Sequence, residues 1–275
     1  MENFQLNQQQ LADYTRDGYL IVRNFLTSEE ITKLHGIATG DATLSKHAFD
    51  LNDLTGKKTK LTLWYNPGDD AYGLLTRSKR IVDSVDRLMD GDSAVCHFHS
   101  KLMQKEPRVG GAWEWHQDYG YWYKNEFLFP DQMVSVMVAI TEATRGNGCL
   151  QVIKGTHKMG RIEHGFSGEQ VGAAQHYVDL ALRTMPLVYV ELAPGDALFF
   201  HSNLLHRSEA NLSDRPRWSL ISVYNRQANI GYNEPNGSHT IPVKVVPDEA
   251  MLKWDTKGVT EASGFLEKEK DQALK

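Results

Sequence analysis

The chain has 275 residues, of which 41% are hydrophobic, and its 30 Lys and Arg against 35 Asp and Glu leave a formal net charge of −5. This apolar share is enough to build a sizeable core. The scattered basic residues argue against nucleic acid or an anionic membrane surface as a partner. No apolar run approaches the ~20 residues that a membrane-spanning helix needs.

The N-terminal segment MENFQLNQQQ lacks the basic and apolar regions of a secretion signal. Cys96 and Cys149 lie far apart in apolar surroundings, so we expect buried, reduced thiols. These observations predict a cytoplasmic protein whose partner is a small molecule. They do not indicate an oligomeric state.

Helical patterns dominate the first third of the chain. Residues 7–17 are predicted to be helical, GYLIVRNFL to form a strand, and TSEEITKLHGIATG to form a helix capped at Thr27 or Ser28 and ended near Gly40. Apolar residues at helical spacing predict another helix over residues 74–90.

Short strands separated by turn signals follow from residue 94 onward. We expect one helical insertion, at about residues 168–183, and a charged, helix-like C-terminal segment at residues 261–275. No linker rich in Pro, Gly or Ser divides the chain, so a single domain over residues 1–275 is predicted. Helices followed by many strands favour a β-sandwich or open barrel flanked by helices.

The segment WEWHQDYGYWY places His116 and Asp118 two positions apart. If the segment is extended there, both side chains point to the same face and could converge on a metal ion. His201 and His206 follow downstream, with Ser208 and Arg217 beyond them. Two histidines and one carboxylate on one face of a metal are characteristic of non-haem Fe(II) oxygenases, because three coordination positions stay open.

Those open positions accept an oxo-acid and O2, and the distal carboxylate of the oxo-acid needs its own partner. A guanidinium binds a carboxylate through two parallel hydrogen bonds, and a nearby hydroxyl can donate to the same group. His206, Ser208 and Arg217 therefore form one consistent set of metal ligand, hydroxyl donor and carboxylate clamp. The turn SEANLSDRP would fold the strand of Arg217 back beside that of His206.

The pattern WHQD, NGCLQVIKGTHK and PGDALFFHSNLLHRSEANLSDRPRWSLISVY resembles the phytanoyl-CoA dioxygenase family of Fe(II)- and 2-oxoglutarate-dependent oxygenases. The resemblance covers most of residues 8–225. It implies a mainly β fold, a cupin-like double-stranded β-helix (jelly roll) whose core spans about residues 94–225, with flanking N-terminal α-helices and the helical insertion.

The resemblance also implies roles for individual residues. His116, Asp118 and His206 would bind Fe(II), Arg217 and Ser208 would hold the C5 carboxylate of 2-oxoglutarate, and Gln117 and Lys60 would lie near that co-substrate. His201 is the rival second histidine, but only His206 has the Ser and Arg spacings. Arg215 is the rival clamp, and we expect it on the loop because it precedes Pro216.

The substrate pocket is predicted less sharply. His97, His99 and Lys101 alternate along one strand face, and if that face points inward, His99 and Lys101 approach the site. An inward lysine implies an anionic ligand, because an unpaired buried charge is costly. The aromatic residues near the motif either pack in the core or form the walls of the pocket; we take four as candidate substrate contacts, namely Trp64, Tyr119, Tyr121 and Trp122.

Together these features predict a dioxygenase that uses Fe(II), 2-oxoglutarate and O2 to hydroxylate an unactivated C–H bond, with release of succinate and CO2. The carboxylate ligand Asp118 favours hydroxylation over halogenation. The substrate is predicted to be a small polar or zwitterionic metabolite, such as an aminophosphonate or betaine-like compound. The alternatives are an acyl-CoA or natural-product hydroxylase of the same family, a different cupin-like metalloenzyme, or a non-catalytic jelly-roll binding protein.

Overall fold

Two antiparallel β-sheets face each other in the computed structural model, which describes residues 4–125, 129–231, 240–254 and 258–267. The larger sheet has seven strands in the order β1-β11-β6-β13-β4-β3-β2, and the smaller has four in the order β10-β7-β12-β5. The strands are β1 (Tyr19–Val22), β2 (Phe49–Asn52), β3 (Lys58–Trp64), β4 (Val95–Lys105), β5 (Trp113–His116), β6 (Met133–Ala139), β7 (Leu150–Ile153), β8 (His164–Ser167), β9 (Gln170–Ala173), β10 (Leu187–Val190), β11 (Ala197–His201), β12 (His206–Ser208) and β13 (Arg217–Arg226). This arrangement is the predicted jelly roll.

Helices cover the outer face of the large sheet and one side of the small one. They are α1 (Gln8–Asp17), α2 (Ser28–Gly40), α3 (Ala42–His47), α4 (Ala71–Thr76), α5 (Lys79–Leu88), α6 (Asp118–Asn125), α7 (Gln175–Thr184) and α8 (Ala250–Lys253). None of the helices in the described ranges is long and apolar enough to cross a membrane.

The apolar residues fall into layers that match this arrangement. One buried cluster joins the N-terminal helices to the outer face of the large sheet and includes Leu34, Val85 and Leu220. A second cluster, with Met137 and Val152, fills the space between the two sheets. Because burying apolar area is the main favourable term in folding, these layers hold the sheets at the spacing that the site between them requires.

The first two predicted helices are confirmed, and each begins with a capping box. Asn7 accepts a hydrogen bond from the backbone of Gln10, and Thr27 accepts one from Glu30, while the two N3 side chains bond back to the cap. The predicted helix at residues 74–90 is instead two helices, α4 and α5. Ser78 is extended between them (φ −62°, ψ 144°), a break that apolar periodicity does not reveal because both helices bury the same face.

The predicted insertion at residues 168–183 is only partly helical. It opens with the turn that joins β8 to β9, continues with β9, and α7 begins only at Gln175. Gly168 makes the hairpin turn at a φ of 64°, in the left-handed region that favours glycine. Of the predicted C-terminal helix-like segment, residues 261–263 form a short 3-10 helix and residues 268–275 lie outside the described residues.

Candidate active site

Three buried side chains from two neighbouring strands and one helix meet between the sheets. The ligand atoms of His116, Asp118 and His206 all lie within 4.8 Å of one another. Nε2 of His116 is 3.7 Å from Asp118 Oδ1, and Nε2 of His206 is 3.8 Å from the same oxygen. Donors at this spacing can share one ion at about 2 Å from each.

The two imidazoles are held with Nε2 pointing into this cluster. His116 and His206 are paired across β5 and β12, and their ring centroids are 4.1 Å apart. In each ring, Nδ1 lies within hydrogen-bonding distance of the carbonyl two residues earlier, at 2.7 Å from Glu114 and 2.9 Å from Leu204. Donation from Nδ1–H leaves Nε2 as a free acceptor, which is the form that binds a metal.

The prediction that His116 and Asp118 lie on one face of an extended strand is wrong. β5 ends at His116, and α6 begins at Asp118, so the two side chains converge at a strand–helix junction. Buried His164 stabilises this junction, because its Nε2 accepts a hydrogen bond of 2.9 Å from the backbone N–H of Gln117.

Gln117 was expected near the co-substrate, and its side-chain amide is hydrogen-bonded to two loops around the site. Its amide nitrogen donates to the carbonyls of Gly160 and Asn203, each at 2.8 Å, and its amide oxygen accepts from the backbone of Ile162 at 2.7 Å. These three bonds tie the strand–helix junction to the loops that contain Gly160 and Asn203.

The environment of Asp118 keeps it ionised. Its Oδ2 accepts a hydrogen bond of 2.9 Å from Ser135 on β6, which leaves Oδ1 facing the histidines. Burial by itself would raise the pKa of Asp118, but the adjacent imidazole of His116 and the positive charge of Lys101 outweigh it and hold this pKa far below its usual range. Burial, and next the nearby His116, lower the pKa of His206 to about 3.

Arg217 forms a buried cationic pocket at the inner end of the site. The residue is 3% exposed, its Nε has no hydrogen-bond partner among the described residues, and Nη2 lies 3.8 Å from the sulfur of Met137. Burial lowers the pKa of Arg217 to about 10. A buried guanidinium without a carboxylate partner is unfavourable unless a ligand provides one.

The predicted turn after β12 is confirmed, and Asn211 secures it. Its side-chain amide donates to the carbonyls of Lys105 and Arg215, and its backbone N–H donates to Gly110. These bonds hold the turn against the end of β4, so that Arg217 starts β13 directly opposite Lys105.

Lys60 is not placed at the site, contrary to the prediction. It is exposed on β3 and is paired in register with Gln104, whereas the inward residues of the neighbouring β4 are Met103 and Lys105.

Sequence reasoning missed Lys105, which is fully buried and donates to Ser208 Oγ at 2.8 Å. The period-2 spacing from Lys101 to Lys105 could have identified it.

A β-bulge changes which β4 side chains face inward. Phe98 is an extra residue, because Val223 pairs with His99 and Tyr224 with His97. We expected His97 and His99 on the same face of the strand, but the bulge places them on different faces. His97 bonds to Ser100 on the helix side, at 2.8 Å.

The inward face of this strand does approach the site. Phe98 and His99 both contact the ring of Trp122. Lys101 is only partly buried, and its charge acts on both Asp118 and His206. The prediction that Lys101 would lie near the metal ligands if this face pointed inward therefore agrees with the structure.

The four aromatic candidates separate into two groups. Trp64 is fully buried against Tyr72 in the helix-side core, so it cannot line the pocket. Tyr121 lies edge-on to His116 with ring centroids 5.5 Å apart, and Trp122 packs beside His99. Tyr119 packs with Phe98 in a small cluster next to these rings.

The two rival residues lie elsewhere. His201 lies 2.9 Å from the carboxylate of Asp131, in a contact that is an ion pair when the ring is protonated, and it is absent from the metal-ligand cluster. Arg215 is on the loop, as predicted, and forms an ion pair with Glu142 at 2.7 Å.

The family model of phytanoyl-CoA dioxygenase (PhyH) matches residues 14–219, which confirms the resemblance. Among curated relatives, an L-proline trans-4-hydroxylase from Streptomyces griseoviridis is 26% identical over 232 residues, covering 78% of this chain and 85% of its own. An ectoine dioxygenase from Nocardia farcinica is 23% identical over 241 residues, covering 82% and 80%.

Solved structures show the same fold. EctD from S. alaskensis with bound Fe superposes with a TM-score of 0.73 at 19% identity, covering 88% of each chain. The epimerase SnoN, in complex with Fe3+, alpha ketoglutarate and nogalamycin RO, gives a TM-score of 0.65 at 21% identity, covering 80% of this chain and 83% of its own. These likenesses confirm the predicted jelly roll.

Proposed function

The chain belongs to the phytanoyl-CoA dioxygenase family, and from that premise we propose that it hydroxylates a small zwitterionic metabolite. Its reaction class is that of an Fe(II)- and 2-oxoglutarate-dependent dioxygenase. In this reaction one oxygen atom of O2 enters the C–H bond of the substrate, and the other enters succinate as 2-oxoglutarate loses CO2.

The observation that carries the proposal is that the metal-ligand cluster lies between the same two sheets as a buried guanidinium, for which the described residues offer no carboxylate partner. His116, Asp118 and His206 offer three donors, two of them with their orientation set by a backbone carbonyl. Arg217 offers a planar fork for a carboxylate. Ser208, on β12 of the smaller sheet, is hydrogen-bonded to Lys105, the residue that lies opposite Arg217 in the larger sheet. This donor set suits Fe(II) with open positions.

The protein's own residues have distinct roles in this proposal. Arg217 and Ser208 bind the distal carboxylate of 2-oxoglutarate, so that its keto-acid end lies toward the histidines. Ser135 keeps Asp118 oriented through its hydrogen bond to Oδ2. Bound Fe(II) supplies the redox chemistry with O2, and the apolar residues between the sheets exclude water from it.

Lys101 and the rings of Tyr121 and Trp122 support a zwitterionic substrate. We assign the lysine to an anionic group of the substrate, because it is partly exposed and adjacent to the metal ligands. An ammonium group could lie against the aromatic faces. The two relatives are named for proline and ectoine, which are both small molecules with a carboxylate and a cationic nitrogen.

The test is substrate-dependent formation of succinate with Fe(II), 2-oxoglutarate and a panel of L-proline, ectoine, betaines and aminophosphonates, with acyl-CoA thioesters in parallel. Mass spectrometry should find one oxygen atom added to a zwitterionic compound. Turnover of acyl-CoA alone would exclude the substrate class. His116→Ala should abolish succinate formation, and succinate formation that persists in this variant would exclude the assigned metal site.

Lys101→Met gives a sharper test of the substrate anchor. The KM for a carboxylate-bearing substrate should rise by roughly tenfold or more, as expected for loss of a charge-assisted hydrogen bond. The KM for 2-oxoglutarate should stay unchanged, and a rise in both would contradict the assignment.

We also propose that residues 1–275 form one catalytic domain and that the protein acts in the cytoplasm. The large sheet contains both the first strand, which begins at residue 19, and the last strand, which ends at residue 226, and this supports a single domain. Cys96 and Cys149 are buried, unpaired thiols, and burial raises the pKa of each to about 11, which fits a reducing compartment.

A further inference from the structure

The bulge in β4 turns two neighbouring side chains toward the site. Consecutive residues of a regular strand point to opposite faces, yet Phe98 and His99 both contact the ring of Trp122, with centroids 5.2 and 6.0 Å from it. The bulge therefore adds a bulky ring that a regular strand would not place there. Phe98 belongs to a small apolar group, here called the end cluster, which consists of Phe98, Tyr119, Met133 and Val223, with the partly buried Trp122 packed against it.

The register of the large sheet shows where the end cluster lies. Arg217 starts β13, and Ile221 lies level with Lys101 four residues further along. Val223 follows on the same face, level with Ser135, whose hydroxyl donates to the carboxylate ligand of the metal cluster. The end cluster therefore begins level with the metal ligands and extends away from Arg217. It occupies the part of the inter-sheet space toward which the tail of a substrate would extend.

The rise of the strands gives the length of this space. Met133 is paired with Asn225, which follows Ile221 by four residues. The sheet therefore advances roughly 13 Å from the level of Lys101 to that of Met133. The side chains of the end cluster fill part of this length, because they are almost fully buried in contact with one another. What remains suits a molecule only a few bonds long.

We propose that Phe98 is the specificity-determining residue of the site, and that its ring limits the substrate pocket to the length of a short zwitterion. An anionic group bound by Lys101 and an ammonium group against Trp122 direct any further chain toward the Phe98 ring. A longer chain then has to displace a packed side chain, and each methylene group that does not fit is discriminated against by roughly tenfold or more. This inference rests on the proposed assignment of Lys101 to the anionic group of the substrate.

A series of alkylbetaines measures the length of the pocket. In N-alkyl-N,N-dimethylglycines with a methyl, propyl, pentyl or heptyl chain, the carboxylate and ammonium groups stay constant while the tail grows. The protein is loaded with redox-inert Zn(II) and saturated with 2-oxoglutarate, so that calorimetric titration gives each Kd without turnover.

The wild-type protein should bind the pentyl and heptyl compounds more weakly than the propyl compound. Phe98→Ala should bind the pentyl compound roughly tenfold or more tightly than the wild type does, and the methyl compound with unchanged affinity. An equal change at every chain length, or no gain for the pentyl compound, would overturn the inference.

Two further variants keep the test decisive. Phe98→Leu removes less volume, so it should fold if the alanine variant does not, and it should still gain several-fold in affinity for the pentyl compound. Unchanged affinity in this variant would overturn the role of the ring. Phe199→Leu makes the same change in the helix-side core, where Phe199 is fully buried, and is the matched control. The same gain in this control would show general loosening of the fold, and it would equally overturn the inference.

Lys101→Met separates failure of this inference from failure of the proposed function. If it weakens every alkylbetaine while Phe98→Ala leaves the length limit in place, only the role of Phe98 is wrong. If Lys101→Met weakens none of them, or if no alkylbetaine binds the wild-type protein, the proposed substrate anchor is wrong, and the inference that rests on it falls as well.

Discussion

Gly120→Ala should disrupt the strand–helix junction that carries two metal ligands. A β carbon at Gly120 would lie closer than 3.0 Å to three atoms of the His164 ring. Ordinary van der Waals contact begins at 3.4 Å, and the ring cannot move without stretching its hydrogen bonds to Gln117 and Ile162.

The expected loss of stability can be worked out from these contacts. Overpacking a buried site costs about 1–3 kcal/mol, and leaving the Gln117 N–H unpaired costs about 1–3 kcal/mol more. The better helix propensity of alanine returns up to about 1 kcal/mol. We therefore expect the free energy of unfolding of the metal-free protein to fall by about 3 kcal/mol, and metal affinity to fall by about 10- to 100-fold.

Denaturant unfolding with a matched control measures this effect. Gly36 lies in α2 with nothing within 4 Å of an added β carbon, so Gly36→Ala should stabilise the protein by about 0.5–1 kcal/mol. In a His164→Ala background, Gly120→Ala should become nearly neutral, because its obstacle is gone. Equal destabilisation in both backgrounds would refute the reasoning.

Three other outcomes follow from the site. Ser135→Ala removes the hydrogen bond to Asp118, so Fe(II) affinity measured by competition with a chelator should fall by about 10- to 100-fold; an unchanged affinity would mean that Asp118 is oriented without it. Lys60→Met should leave the KM for 2-oxoglutarate unchanged, since this side chain is exposed on the outer face. Burial lowers the pKa of His164 to about 4 and of His206 to about 3, so both histidines oppose protonation in the folded state. The stability that comes from keeping both rings neutral is fully present above pH 6.5 and is lost as the pH falls below it. The unfolding free energy of the metal-free protein should therefore fall by about 1.4 kcal/mol per pH unit for each histidine. An unfolding free energy that stays constant between pH 6.5 and 4 would contradict this.

The sequence was most informative where residue type and spacing together define a chemical task. His116 and His206 were singled out by residue type and spacing, and the structure brings them together with Asp118 in a cluster that could hold a metal ion. Arg217 was singled out in the same way, and its side chain is buried. The turn held by Asn211 and the two capped N-terminal helices were also predictable, since their signals are local.

Side-chain direction was harder to predict, because it depends on strand register. The extra residue Phe98 reverses the facing of β4 and removes His97 from the pocket side. The register of β3 against β4 likewise places Trp64 and Lys60 on the face of the sheet that points away from the site. Lys105 was missed because a fully buried lysine is rare, and its partners come from a strand about a hundred residues later.

The buried guanidinium of Arg217 also links the lifetime of the protein to metabolism. A ligand that binds only the folded state stabilises it by an amount set by its concentration, about 2.7 kcal/mol at one hundred times Kd. Arg217 brings a charge into the core that forms no ion pair with a carboxylate among the described residues, so a bound carboxylate would stabilise the folded state. Depletion of the oxo-acid would then favour unfolding and degradation of the protein, so that its abundance in the cell would follow the supply of its own co-substrate.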